Sequence, residues 1–169
     1  MFPMKNVLKA LLALALFSLL FGCINLNDDS LQKMNLIMQK YSTTDSYLTN
    51  QATMTDYITD LADLKKSASN ENAKIIQAEI YLAESFNYQN KAQSESTKVN
   101  YIYLNCTSKE AKAMINYLNL AFNSINLAEK TYNELNEGQK DKLRSNYSEL
   151  LVGYKEQITL MKTFVESKC

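Results

Sequence analysis

The chain has 169 residues, 46% of them hydrophobic, with 18 basic and 18 acidic residues and no histidine or tryptophan. That length holds one domain, the apolar content excludes a disordered polymer, and the lack of a basic surplus argues against a nucleic-acid partner. A single proline and three glycines leave too few tight turns for a sheet-rich fold, so the expected class is all-α.

At the amino terminus, Lys5 and Lys9 precede an uncharged run of twelve residues, Ala10–Phe21. Twelve residues suit the apolar region of a signal peptide, whereas about 20 are needed to span a bilayer as a helix. The run ends in Leu20-Phe21-Gly22-Cys23, followed by the polar Asn25, Asn27, Asp28, Asp29 and Ser30. This segment resembles the prokaryotic lipobox, with an aliphatic residue three before the cysteine and a small one immediately before it. Its Gly22-Cys23-Ile24-Asn25 flank is similar to archaeal lipoproteins. The resemblance implies that residues 1–22 are a cleaved signal peptide, that the Cys23 thiol carries a diacylglyceryl group, and that the mature chain faces outside the cytoplasm. Two acyl chains anchor firmly, since each buried methylene contributes about 0.8 kcal/mol. The competing reading is an uncleaved membrane helix over about residues 7–24, which Lys9 interrupts and which is short for a span. Without Lys5 and Lys9 the mature chain keeps 16 of the 18 bases against 18 acids, a net charge of −2.

Residues 23–30 read as the lipidated cysteine and a tether, and residues 31–169 as one helical domain. Leu31, Met34, Met38, Tyr41 and Leu48 begin a helical period that resumes at Tyr57, Ile58, Leu61 and Leu64, which predicts a helix over about 30–67. Seven of the fifteen residues from Tyr41 to Thr55 are Ser or Thr, which loosens that helix near 42–46. A second helix carries the stripe Ile76, Ile80, Ala83 and Asn87. It is either continuous through the polar residues 93–97 or broken there, with a helical period resuming from Val99 to Cys106. Thr107 and Glu110 have capping-box spacing ahead of the most regular stripe, Ala111, Met114, Leu118, Ala121, Ile125, Ala128 and Tyr132. Gly138 is expected to end that helix in a left-handed turn, and a last helix over about 139–168 carries Leu143, Tyr147, Leu150, Tyr154, Ile158, Met161 and Val165. Four amphipathic segments with short connections predict an antiparallel four-helix bundle. The competing helical-repeat array has no 34-residue self-similarity behind it.

Few residues carry chemistry. Asp56, Asp60 and Asp63 share one helix face, which reads as a solvated back rather than a cation site, because one helix cannot wrap calcium. Without histidine, di-metal carboxylate bundles, Cys/His zinc sites and histidine-activated nucleophiles are excluded. No metal, cofactor or catalytic residue is expected, and the chain reads as a non-enzyme. The tyrosines Tyr41, Tyr117, Tyr132, Tyr147 and Tyr154 fall on or beside the apolar stripes and read as core, whereas Tyr101 and Tyr103 could line a cleft. Asn105-Cys-Thr107 and Asn146-Tyr-Ser148 match the glycosylation sequon, making Asn105 and Asn146 candidate acceptors. With Cys23 lipidated in an oxidising compartment, Cys106 and Cys169 are expected to pair, since two antiparallel helices of similar length bring them together.

The functional expectation is an interaction or structural module at the cell envelope, held to the membrane by lipid on Cys23 and contacting another envelope protein. The competing one is a sensor-like bundle that binds a small molecule or peptide. A buried cavity between helices favours the second, and an apolar surface patch the first.

Overall fold

A chain almost free of helix breakers forms helices wherever an apolar stripe can be buried. The computed structural model describes residues 28–41, 51–99 and 106–169. In them lie α1 (Ser30–Lys40), α2 (Gln51–Ser67), α3 (Asn70–Ser96), α4 (Lys109–Asn133), the single turn α5 (Glu137–Lys140) and α6 (Tyr147–Lys168). Every described element is helical, so the class is all-α.

The centre of the domain is α3, whose 27 residues extend about 40 Å. Most of its circumference is buried, including Ile75, Ile76, Ala78, Leu82, Ala83 and Ala92, because helices lie against several of its sides. Along α4 the buried residues are Ala111, Met114, Leu118, Ala121, Ile125 and Ala128, the expected stripe. Small alanines let α3 and α4 approach closely, while Met114, Leu118 and Ile125 fill the space between them. Truncating Ile125 to alanine would cost about 2–5 kcal/mol.

Side-chain contacts give the helix directions. Ser69, at the turn into α3, donates its N–H to Asp28 before α1, and Lys40 at the far end of α1 reaches Asp60 in α2. Hence α1 runs opposite to α2. Tyr57 of α2 meets Glu79 of α3, Lys91 of α3 lies over the Tyr117 ring of α4, and Lys155 of α6 pairs with Glu129 of α4. A main core runs from Met34, Met54 and Leu61 through Ile76 and Ile125 to Tyr147 and Ile158. A smaller cluster, Ala92, Met114, Leu118 and Val165, closes the end near Cys106 and Cys169.

Several boundaries differ from the sequence expectation. The predicted helix over 30–67 is two helices in opposite directions: α1 ends at Lys40, and Tyr41 closes it with an N–H donated to Ile37 O at 3.1 Å. The cause is burial, since the reversed direction lets Met34 and Met38 join the core that α2 lines with Met54, Tyr57 and Leu61. Residues 42–50, between the two, lie outside the described residues. Of the two readings of the next segment, the break holds: α3 runs into the polar stretch and ends inside it, at Ser96, with Thr97 as its cap. Its last hydroxyls bond back three residues, Ser96 to Gln93 O at 2.6 Å and Thr97 to Ser94 O at 2.8 Å, which satisfies carbonyls the helix end would leave open. Val99 and Cys106 are not helical, and the remaining residues of the expected resumption, 100–105, lie outside the description.

The cap of α4 is Ser108 rather than Thr107. The Ser108 hydroxyl accepts from the Ala111 N–H at 3.1 Å, so alanine occupies the third helical position and Glu110 instead lies in the first turn, where its charge suits the helix dipole. Gly138 does not take a left-handed φ; it lies inside α5. A reciprocal capping box, Asn136 with Gln139 at 3.0 and 2.9 Å, starts that short helix and makes a glycine stop unnecessary. The last long helix therefore begins at Tyr147 and not at residue 139, and the intervening turn directs Arg144 inward.

Candidate functional site

The turn between α5 and α6 carries the chain's single arginine, and this side chain is buried. Arg144 Nε donates to Glu79 Oε2 at 3.2 Å and its Nη2 donates to Oε1, a two-pronged pairing with both side chains 1% exposed. Tyr57 from α2 donates its hydroxyl to the same carboxylate at 2.7 Å. Beside them Tyr147 donates to Ala78 O at 2.7 Å and stacks on Tyr132 with ring centres 5.3 Å apart. Burial pushes the Tyr147 hydroxyl up from its ordinary value, so it stays neutral. A polar cleft of about 320 Å³ lies over this cluster, lined by Lys140, Asp141, Ser145 and Ser148 among others. Its amine, Lys140, is held by Glu137 and kept above the usual lysine range, hence protonated. Neither group supplies a nucleophile or base at neutral pH. The cluster ties α2, α3 and the α5–α6 turn together.

Exposed apolar side chains gather on the outer side of α6. Tyr147, Leu151, Tyr154, Ile158 and Val165 turn inward. On the opposite side Val152, Glu156 and Leu160 are exposed at four-residue steps, and Phe164 continues the row onto the flank of the helix, because each such step turns it by about 40°. Val152 is 54% exposed, Leu160 70% and Phe164 45%. An isolated exposed leucine carries no meaning, whereas Leu160 and Phe164 are neighbours on adjacent turns and, with Val152 two turns before Leu160, expose apolar surface along one winding row. On the side toward α4, an open groove of about 530 Å³ runs past Val152, Lys155, Thr159 and Leu160. On the side toward α3, a second groove is bounded by Gln89, Gln93, Gln157 and Met161, with Gln89 donating to Gln157 at 2.8 Å.

Compared with known proteins, the chain matches no family model, no curated protein and no solved structure.

The sequence-derived residues fall as follows. Cys106 and Cys169 are joined by a disulfide with Cα atoms 5.6 Å apart, bridging the segment before α4 to the end of α6. Cys23, Asn105, Tyr101 and Tyr103 lie outside the described residues. Asn146 is half-buried immediately before α6, and Tyr147, the middle residue of its sequon, is 2% exposed. Of the three aspartates, Asp60 is not part of a merely solvated back: it accepts from Lys40 and Tyr41, both at 2.8 Å, and so fastens α1 to α2. Asp63 pairs with Lys66 on its own helix, and Asp56 is exposed. Tyr147 and Tyr154 are core residues as expected, with Tyr41, Tyr117 and Tyr132 half-buried at its edge. Sequence reasoning missed the Arg144–Glu79 pair and the outer row of α6. The first had one signal, a single Arg in a chain whose other bases are all Lys. The second was legible as the apolar residues of α6 left over once the core stripe is assigned.

Proposed function

We propose that this chain is an exported, lipid-anchored helical module that works by contact and not by catalysis, presenting the outer face of α6 to a partner at the cell envelope. The exposed Val152, Leu160 and Phe164 carry the contact half of this reading. The leader ending at Gly22-Cys23 supports the location: residues 1–22 are removed, Cys23 bears lipid, and the domain faces outside the cytoplasm. Among the described residues no helix is long and apolar enough to cross a membrane. In this reading attachment comes from the acyl chains on Cys23. We read α2, α3, α4 and α6 as an antiparallel four-helix bundle with α1 laid along it.

One labelling experiment tests location and exposure together. With Cys23 lipidated and Cys106 bonded to Cys169, the wild-type chain has no free thiol. On intact cells a membrane-impermeant maleimide should label Leu160→Cys, and leave wild type and the buried Ile158→Cys unlabelled. Labelling of Leu160→Cys only after cell lysis would overturn the location, and equal labelling of Ile158→Cys would overturn the described face.

A second reading, a module for a small molecule or peptide, draws on the groove of about 530 Å³ beside α6. Saturable binding that Val152→Glu abolishes, with no partner protein needed, would favour it.

A further inference from the structure

Tyr147 meets Ala78 and Gln157 meets Gln89, so α6 runs beside α3 in the same direction. Between their later turns lies the open groove of about 430 Å³, where Gln89 and Gln93 of α3 face Gln157, Leu160 and Met161 of α6. Gln89 is only 7% exposed, and its amide is half used. Its Nε2 donates to Gln157 Oε1 at 2.8 Å, while its own Oε1 is buried and accepts no hydrogen bond among the described residues. A buried acceptor without a donor is unfavourable, so this amide is set to take a further partner. Gln157 is exposed, and that one bond is what holds it over Gln89.

The lining selects the chemistry. The described residues that line the groove carry no charge, so neither an anion nor an amine finds an opposite charge there. A lipid tail would leave the amides unpaired. A carboxamide sets an acceptor beside its donors, which is what the N–H and C=O of a peptide backbone require. The Gln157 amide, a peptide-like group, already makes one half of that pairing. Spacing then selects an extended chain. Gln89 and Gln93 stand about 6 Å apart along the axis of α3. In an extended strand every second residue turns its N–H and C=O to the same edge, about 6.6 Å apart. The two glutamines therefore match alternate residues, and the roughly 40° turn between them slants the strand across α3. With one edge on α3, the strand turns alternate side chains toward Leu160 and Met161, a wall that suits apolar ones.

We propose that this groove binds an extended, uncharged peptide segment of a partner protein by its backbone, with Gln89 and Gln93 pairing alternate residues. On binding, Gln157 swings aside, and the single bond it made to Gln89 is replaced by two. The proposal deepens the contact reading of α6 by naming the class of partner, and rests on it for Leu160 alone.

The probe is an acetylated, amidated hexapeptide of alternating serine and valine, titrated into isotope-labelled full-length chain in a nonionic detergent. The side-chain amide signals of Gln89, Gln93 and Gln157 should shift saturably at millimolar peptide, since the contact spans few residues. Gln89→Leu, which keeps the volume and removes the amide, should weaken binding about tenfold or more, as loss of two hydrogen bonds predicts. Its circular dichroism should be unchanged, because leucine leaves no buried acceptor behind. An analogue with ester links in place of the peptide bonds keeps the side chains and loses the N–H donors, and it should bind at least about tenfold more weakly. No saturable shift, or an ester analogue bound as tightly as the peptide, would overturn the proposal. Shifts confined to the backbone signals of Val152 and Phe164 would also overturn it, and leave the contact reading standing. Leu160→Glu binding the peptide as tightly as wild type would instead count against the contact reading, while the amide pairing held.

Discussion

Arg144 holds Glu79 across 65 residues of sequence, with Nε and Nη2 each donating to one carboxylate oxygen and both side chains 1% exposed. Such a buried pair is weak evidence of net stabilisation, because desolvating two charges offsets much of their attraction. It is strong evidence of a fixed arrangement, since neither group can leave its partner without being buried and unpaired.

Removing one member should therefore cost more than replacing both. Arg144→Met is expected to destabilise by about 3–5 kcal/mol, lowering the thermal midpoint by roughly 10 °C. Arg144→Lys should also destabilise, because a single ammonium cannot span both carboxylate oxygens. The double variant Arg144→Met with Glu79→Leu should be more stable than Arg144→Met alone. Thermal melts of the three variants check this; additive losses would mean the two residues do not act as a pair.

Acid should release α1 before the rest of the domain. Asp28 accepts the backbone N–H of Ser30 at 3.0 Å and of Ser69 at 2.8 Å, and hydrogen bonds hold its carboxyl well below the usual range. Asp60, lowered by Lys40 and then Tyr41, fastens the other end of α1. For groups with depressed values, stabilisation is present above the unfolded value and lost as pH falls through the folded one. Glu84 has the opposite sign: burial raises it, so its favourable contribution belongs to low pH and is lost as pH rises through its folded value. Amide exchange followed from about pH 4 to about pH 2, corrected for intrinsic rates, should show α1 losing protection while α3 and α4 keep theirs. Asp28→Asn with Asp60→Asn should remove that difference; uniform loss along the chain would contradict it.

Reduction should loosen the end of the domain away from α1's start. The Cys106–Cys169 bridge closes a segment with a sequence separation of 63, worth about 4 kcal/mol in the chain-entropy description. A thiol reductant should lower the melting midpoint of wild type and leave Cys106→Ser with Cys169→Ser unaffected. Denatured, unreduced protein should titrate neither cysteine; two reactive thiols from this pair would contradict the bridge.

The helical class and the buried stripes of α3 and α4 were legible because burial repeats with the helix period and few glycines or prolines interrupt it. What spacing cannot show is whether a weak segment bends a helix or reverses it. The Ser/Thr-rich stretch after Tyr41 showed weakness, but the reversal follows from Met34 and Met38 packing beside Met54 and Leu61, a tertiary event. Gly138 misled for a related reason: a left-handed stop is one way to end a helix, and the Asn136–Gln139 box provides another. Glu79 was hidden because it lies between the buried Ala78 and Ile80, where a carboxylate is expected only with a partner, and that partner is far along the chain. The outer row of α6 needed no structure, only a second pass over its apolar residues.

The central claim, an exported chain held to a membrane by lipid, is tested most directly by the intact mass of the protein extracted from its own membrane. The predicted species lacks residues 1–22, begins at Cys23, and carries a lipid increment on that residue. A full-length chain with an unmodified Cys23 thiol would contradict the account.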